Sequence, residues 1–172
     1  MIVLIGPSGC GKSTIEQELI KSGYKRTISF TTRPPRKGEK HGLNYYFISE
    51  DKFKENIQMG LVAEFSTYKG HLYGLPLSEL SDDAVVVVEP IGFLKLKEKF
   101  SNVIGCYLDC EENIRRQRML NRGDDIQAID ERILNDRHWF ENIKEQTDII
   151  IDTSNKTIDE IIDCIIKKEE KG

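Results

Sequence analysis

Nowhere in the sequence does an apolar run approach the length of a membrane-spanning segment, and no basic region followed by an apolar leader opens it. These lacks set the expectation of a cytoplasmic protein with no membrane partner. Cysteine is sparse. Cys10, Cys106, Cys110 and Cys164 are spaced for neither a disulfide framework nor a zinc site. Basic charge is not in excess, and a formal net charge of -4 gives no footing for nucleic-acid binding. Internal repeats and low-complexity linkers are missing too. Hydrophobic residues at 38% and charged residues at 31% over 172 positions describe one folded domain. That length leaves room for an inserted lobe and a lid, but not for a second independent domain. His41, His71 and the lone tryptophan, Trp139, carry no assignable chemistry and are read as surface or packing residues.

What is present is concentrated at the start. Ile2-Val3-Leu4-Ile5 reads as a buried strand, followed at once by Gly6-Pro7-Ser8-Gly9-Cys10-Gly11-Lys12-Ser13. An apolar strand, then G-x-x-x-x-G-K-S, then a helix is a phosphate-binding loop. Backbone N–H groups and a helix N-terminus surround phosphate oxygens, Lys12 supplies a cation and Ser13 a metal ligand. The helix is expected over Lys12 to Lys21, with Ile15, Leu19 and Ile20 apolar. Cys10 fills a position the motif leaves free, so it is read as a tolerated small residue without a redox role.

The rest of the chain alternates. Tyr24 to Phe30 reads as a second strand, and Thr31 to Glu39 as a basic loop that Pro34-Pro35 keeps extended. Strand-like pieces at Tyr45 to Ser49 and Leu61 to Phe65 flank a helix over Glu50 to Met59, and Tyr68 to Gly74 is turn-rich. Ala84 to Val88 is an unbroken β-branched run suited to a parallel strand covered on both faces. A helix around Gly92 to Phe100, a strand at Val103 to Leu108 and a helix over Glu111 to Asn121 follow. After Arg122-Gly123-Asp124-Asp125 comes an amphipathic helix with Ile126, Ile129, Ile133 and Phe140 near one face. A strand at Asp148 to Asp152 and a helix over Thr157 to Lys168 close the chain. Such alternation implies an α/β, doubly wound parallel sheet with ligands at the carboxyl ends of its strands.

A phosphate loop alone does not separate kinases from GTPases. No N-K-x-D tetrapeptide is present to read a guanine in the manner of a GTPase. A nucleoside monophosphate kinase needs three anionic clamps, for donor, acceptor and transferring phosphoryl group. Arg33 and Arg36 suit an acceptor phosphate, because guanidinium forks bind its oxygens in pairs. Tyr45 and Tyr73 can add hydroxyl donors. Glu64, on the otherwise apolar Leu61-Val62-Ala63-Glu64-Phe65, accepts only, and so complements the two N–H groups on one edge of guanine. A water-facing place on an alternating strand would explain it equally. Arg115, Arg118 and Arg122 share a helical face, with Arg132 on the next helix, and suggest a lid that delivers cations. A solvated face paired with Glu111 and Glu112 is the alternative.

Ser29-x-Thr31-Thr32-Arg33-x-x-Arg36-x-Gly38-Glu39 followed by Gly42 and Tyr45, with Glu64 nine and ten residues ahead of Tyr73-Gly74, resembles the guanylate kinases over essentially the whole chain. The resemblance implies a P-loop NTPase-type three-layer fold. Core segments would lie at about 1-30, 81-110 and 137-172, the GMP-binding lobe at about 31-80 and the lid at about 111-136. It implies an ATP-dependent, Mg2+-requiring kinase of GMP and dGMP, monomeric or homodimeric. Gly6, Pro7, Ser8, Gly9, Cys10, Gly11, Lys12, Ser13 and Thr14 would hold ATP, with Ser13 on the metal. Ser29, Arg33, Arg36, Tyr45, Glu64, Tyr73 and Glu89 would line the GMP site, and Lys12, Arg118, Arg122 and Arg132 would act on the transferring group. The chain departs from the family pattern at three places, of which Asn121, in place of the usual small residue before Arg122-Gly123, is the minor one. Leu75 stands where a Ser or Thr usually follows the Tyr-Gly pair, at a cost of roughly 0.5 to 1.5 kcal/mol for one lost base contact. Val87-Val88-Glu89-Pro90-Ile91-Gly92 replaces D-x-D-x-x-G, with Glu89 aligned to the second aspartate. A non-catalytic interaction module of the same fold, and a kinase of another phosphorylated acceptor, are the rival readings.

Overall fold

The computed structural model describes residues 1–36, 38–68 and 70–170. Lys37 and Lys69, which fall within two of the loops read from sequence, and the last two residues of the charged tail lie outside the described residues. Five strands form a parallel sheet in the order β2-β7-β1-β8-β9. They are β1 (Ile2–Ile5), β2 (Lys25–Arg26), β7 (Ala84–Val87), β8 (Ile104–Asp109) and β9 (Ile149–Asp152). Alternate side chains of β1 enter opposite layers, the period-two rule of a strand covered on both faces. Ile2 and Leu4 meet Ile15 and Leu19 of α1 (Lys12–Lys21) and Ile161, Ile162 and Ile165 of α6 (Ile158–Glu169). Val3 and Ile5 meet Phe93 and Leu96 of α3 (Pro90–Lys99), with Tyr107 and Phe140. Each fully buried aliphatic or aromatic side chain contributes roughly 1.5 to 3 kcal/mol, so these two layers hold the carboxyl end of β1, and the loop after it, in place.

A second sheet, ordered β4-β3-β6-β5, comprises β3 (Phe30–Thr31), β4 (Tyr46–Phe47), β5 (Val62–Tyr68) and β6 (His71–Pro76), with α2 (Glu50–Gln58) preceding β5. Two expectations change here. The strand expected over Tyr24 to Phe30 is divided between the sheets. After Arg26 the chain's polar groups turn to other partners: Thr27 Oγ1 donates to the Val85 carbonyl at 3.0 Å and Ile28 N–H to Glu79 at 3.1 Å. The stretch expected to be turn-rich is instead β6, because it pairs antiparallel with β5 around a turn at Gly70.

Between β8 and β9 in sequence, α4 (Glu112–Asn121) and α5 (Ile126–Trp139) pack through a small cluster of their own, Met119, Ile129 and Ile133. The face expected for the second of these helices is only partly formed. Ile126 is exposed, and Phe140, just beyond α5, joins the main core against Tyr107, ring centroids 6.2 Å apart. Among the described residues no helix is long and apolar enough to cross a membrane.

Candidate nucleotide site

The loop between β1 and α1 has the local chemistry of an anion cradle. Gly11 is the N-cap of α1 with φ 103°, and no side chain caps the helix or places an acid in its first turn. By contrast α2, α5 and α6 are capped by Ser49, Asp125 and Thr157. An uncapped N-terminus leaves N–H donors and the positive end of the helix dipole for a phosphate. Gly9, at φ 80°, is required by close approach. A Cβ there would lie 2.8 Å from the Arg115 carbonyl oxygen, so α4 packs directly on the loop. Lys12 Nζ donates to the Gly6 and Pro7 carbonyls, folding its cation onto the loop. Cys10 is fully buried and burial raises its thiol pKa, which suits packing and not thiolate chemistry.

Opposite the loop is a cleft of about 590 Å³. Ser29, Arg33, Arg36, Tyr45, Glu64, Tyr73 and Glu89 all line it, and so do Ser8 of the phosphate loop and Arg132 of α5. Arg33 is half-buried, its guanidinium over the rings of Tyr45 at 5.6 Å and Phe47 at 5.8 Å, with Nη2 donating to Glu39 at 2.9 Å. That pairing, first, keeps the Arg33 pKa raised and that of Glu39 lowered. Arg36 is exposed at the cleft, its backbone N–H donating to Glu39 at 2.6 Å. Tyr45 and Tyr73 stand edge to face, 5.9 Å apart.

Glu64 reaches this cleft through an irregularity in the sheet. The β5–β6 register pairs Val62 with Pro76 but Glu64 with Leu75, so Ala63 is an extra residue and β5 bulges. A bulge shifts the inward and outward alternation. Ala63 and Glu64 are both buried, the latter 8% exposed, and the water-facing alternative for Glu64 is set aside. Its carboxylate takes no hydrogen bond from any described residue, and Gly92 leaves it room: a Cβ on Gly92 would lie 2.7 Å from Glu64 Oε2. Burial pushes its pKa up to about 7, with Lys95 and Lys99 opposing and Glu89 adding to the rise. Leu75, cross-strand from Glu64, is fully buried in the core and is not among the cleft residues. Glu89, the N-cap of α3, touches the cleft's solvent while hemmed in by protein. That desolvation raises its pKa and Lys12 lowers it.

The arginine stripe is not brought together. Seven residues of helix rise by about 10 Å, so Arg115, Arg118 and Arg122 meet different neighbours although they share a face. Arg115 is buried beneath the phosphate loop, donating to the Ser8 carbonyl at 3.2 Å and to Asp136 at 3.0 Å, and is no part of a solvent-facing lid surface. Arg118 Nη2 donates to the Thr153 carbonyl at 2.7 Å, while Thr153 Oγ1 donates to the Cys10 carbonyl. Arg122 and Arg132 converge on Asp124, Arg132 at 2.8 Å. Sequence reasoning missed Ser66, Thr67, Asn135 and Asp136, and gave Trp139 no role; all five line the cleft. For Asp136 a signal existed, since it lies one helical turn beyond Arg132 and so on the same side of α5.

A parallel sheet whose first strand ends in an uncapped glycine loop, facing a cleft lined with arginines, defines a phosphotransferase of the P-loop class. A sequence model of the family described as guanylate kinase matches residues 1–168, and the chain belongs to that family. It is 34% identical to a guanylate kinase of Prochlorococcus marinus (strain MIT 9312) over 97% of this chain and 95% of that one. With a guanylate kinase of Streptococcus pneumoniae (strain ATCC BAA-255 / R6) the identity is 30%, covering 98% and 86%. In fold the chain is similar to a crystal structure of guanylate kinase from Anaplasma phagocytophilum, with TM-score 0.75, 24% identity and 99% and 84% of the chains covered. A gluconokinase from Sinorhizobium meliloti 1021 is a more distant fold neighbour at TM-score 0.57 and 17% identity, covering 99% of this chain and 91% of that one.

Proposed function

We propose that the protein transfers the γ-phosphoryl group of ATP to GMP, and to dGMP, with Mg2+. The observation that carries this reading is the single cleft in which buried Glu64 and the Arg33, Arg36, Tyr45 and Tyr73 group stand together beside Ser8 of the phosphate loop. Glu64 accepts from the two donors on the guanine edge, and the arginine and tyrosine group takes the acceptor phosphate. In this assignment residues 31-80 are the GMP-binding lobe and 111-136 the lid, on a core of 1-30, 81-110 and 137-172. Gly6 to Thr14 hold ATP.

Among the described residues no group of three or more His, Cys, Asp or Glu is gathered for a metal. The exposed Ser13 hydroxyl at the start of α1 fits Mg2+, which takes few protein ligands and completes its shell with phosphate oxygens and water. When bound, that ion neutralises phosphate charge. Lys12 leaves its loop carbonyls for the phosphate oxygens, and Arg132 leaves Asp124 to meet charge on the transferring group. Arg118 and Arg122 add cations from the same lid. Since the acceptor oxygen is already anionic, alignment and charge neutralisation suffice without a strong base. The setting is cytoplasmic and the partners are small molecules, with no nucleic acid or membrane; the chain acts as a monomer or homodimer.

A coupled ADP-release assay across GMP, dGMP, IMP, AMP and UMP tests this. GMP and dGMP are expected to lead, with IMP behind them because it lacks the amino donor. AMP or UMP outpacing GMP would remove the guanine-reading role from Glu64.

A further inference from the structure

The cleft contains a contact that the transfer reaction does not require. Asp136, on the same side of α5 as Arg132, reaches across to the phosphate loop. Its Oδ2 accepts from Ser8 N–H at 2.8 Å and its Oδ1 from Ser8 Oγ at 3.3 Å. Oδ2 also accepts from Arg115 Nη1 at 3.0 Å, and the same guanidinium holds the Ser8 carbonyl at 3.2 Å. Both partners of the ion pair are largely buried, their side chains 7% and 12% exposed. Arg115 Nε is buried without a partner, so the guanidinium is held by this cluster and has no second anchor through that atom. Lys12, in the same state, is turned onto the loop's own carbonyls.

A carboxylate and a phosphate are the same kind of ligand to a backbone N–H: anionic oxygen acceptors that draw charge-assisted hydrogen bonds. A carboxylate already on the loop competes with a triphosphate, and it repels any phosphate seated next to it. Because Asp136 and Arg132 are four residues apart on one helix, the contact that holds Asp136 also fixes where α5 presents Arg132, which is itself paired with Asp124. We propose that Asp136 is a built-in competitor for the phosphate loop. In the free protein it latches α5 onto Ser8, and ATP displaces it, so that donor binding releases the helix carrying Arg132. This rests on ATP being the donor held by Gly6 to Thr14. A role confined to supporting Ser8 makes the opposite forecast, since removing a support weakens ATP binding.

Two measurements separate these roles, both made on the full chain with ATP as the probe, in EDTA and without GMP. In calorimetry Asp136→Asn, which keeps size and an oxygen acceptor but removes the charge, is expected to bind ATP about tenfold more tightly than wild type. That is the factor imposed by a latch closed in roughly nine-tenths of molecules. In the wild-type protein the sole tryptophan, Trp139, lies three residues beyond Asp136 at the end of α5 and reports the helix directly. Its emission is expected to change on titration with ATP, with the calorimetric Kd. An Asp136→Asn affinity equal to or below that of wild type overturns the latch. So does ATP binding that leaves Trp139 emission unchanged, a result that does not depend on the variant folding. Wild-type protein that binds no ATP at all would instead overturn the donor assignment beneath it.

Discussion

Lys12→Ala lowers kcat by about 10³-fold or more, in the range measured for removing a cation from a phosphoryl-transfer site, while thermal unfolding barely moves. The two halves of this expectation come from one geometry. Among the described residues Lys12 Nζ donates hydrogen bonds only to the Gly6 and Pro7 carbonyls in the free protein, and its side chain is half-exposed, so truncation removes little buried packing. In the proposed assignment, with ATP seated, the same ammonium supplies the loop's fixed charge to the oxygens that gain charge in the transition state. Glu89, whose carboxyl feels Lys12, then loses its opposing cation, and its pKa rises further. Single-turnover rates with GMP and ATP, set beside a melting curve, measure both halves. Near-normal turnover would remove the phosphate loop from the chemistry; a collapsed melting temperature would make Lys12 structural.

Much of the fold was legible because local and global signals agreed. The apolar Ile2 to Ile5 and Ala84 to Val88 read as strands on propensity alone and are strands, the second ending one residue early at Val87, since burial on both faces demands what their side chains prefer. Helix positions were within a residue or two for the same reason. Tyr24 to Phe30 misled because its apolar content is that of one strand, whereas its division depends on Glu79, about fifty residues on, accepting from Ile28 N–H. Such a long-range partner leaves no mark in a local window. Tyr68 to Gly74 misled in the opposite sense. Gly70 marked a turn correctly, but the turn is the tip of a hairpin whose strands run on through both flanks.

The site divides along similar lines. Ser29, Arg33, Arg36, Tyr45, Glu64, Tyr73 and Glu89 share one cleft, and their residue types announced charge complementarity before any geometry was known. The orientation of Glu64 was illegible, because alternation predicts its face from its neighbours and the bulge at Ala63 shifts that count by one. Arg115 was misplaced because helical periodicity gives the face of a residue but not its height along the axis. It sits under Gly9, and Arg122 lies about 10 Å beyond. The side of α5 on which Asp136 lies could be read from Arg132, but its contacts could not, because its partners Ser8 and Arg115 are far from it in sequence.

Glu64→Gln should separate recognition from stability in opposite directions. Glutamine keeps one acceptor oxygen but presents an amide donor to a guanine donor. One charge-assisted hydrogen bond is lost and one repulsive contact is created, together about 3 kcal/mol, or roughly two orders of magnitude in kcat/KM for GMP. Stability moves the other way. The folded pKa of Glu64, near 7, lies above its ordinary 4.5, so its contribution to stability is full below 4.5 and is lost as pH rises through 7. The wild-type melting temperature should therefore fall between pH 5 and pH 8 by a term that Glu64→Gln lacks. The variant gains on the wild type most at pH 8. Under the proposed assignment catalysis reads the same titration with inverted sign, because a guanine read by Glu64 needs the ionised carboxylate. Wild-type KM for GMP is expected to be flat above about pH 7.5 and to climb up to tenfold per unit below 7. The second ionisation of the GMP phosphate, near 6, affects both proteins alike, so the ratio of their KM values isolates Glu64. That ratio should shrink as pH falls from 8 to 5.5, while Lys95, Lys99 and Glu89 around the carboxyl shift the midpoint without changing its direction. A pH-independent ratio would mean that Glu64 does not face the base.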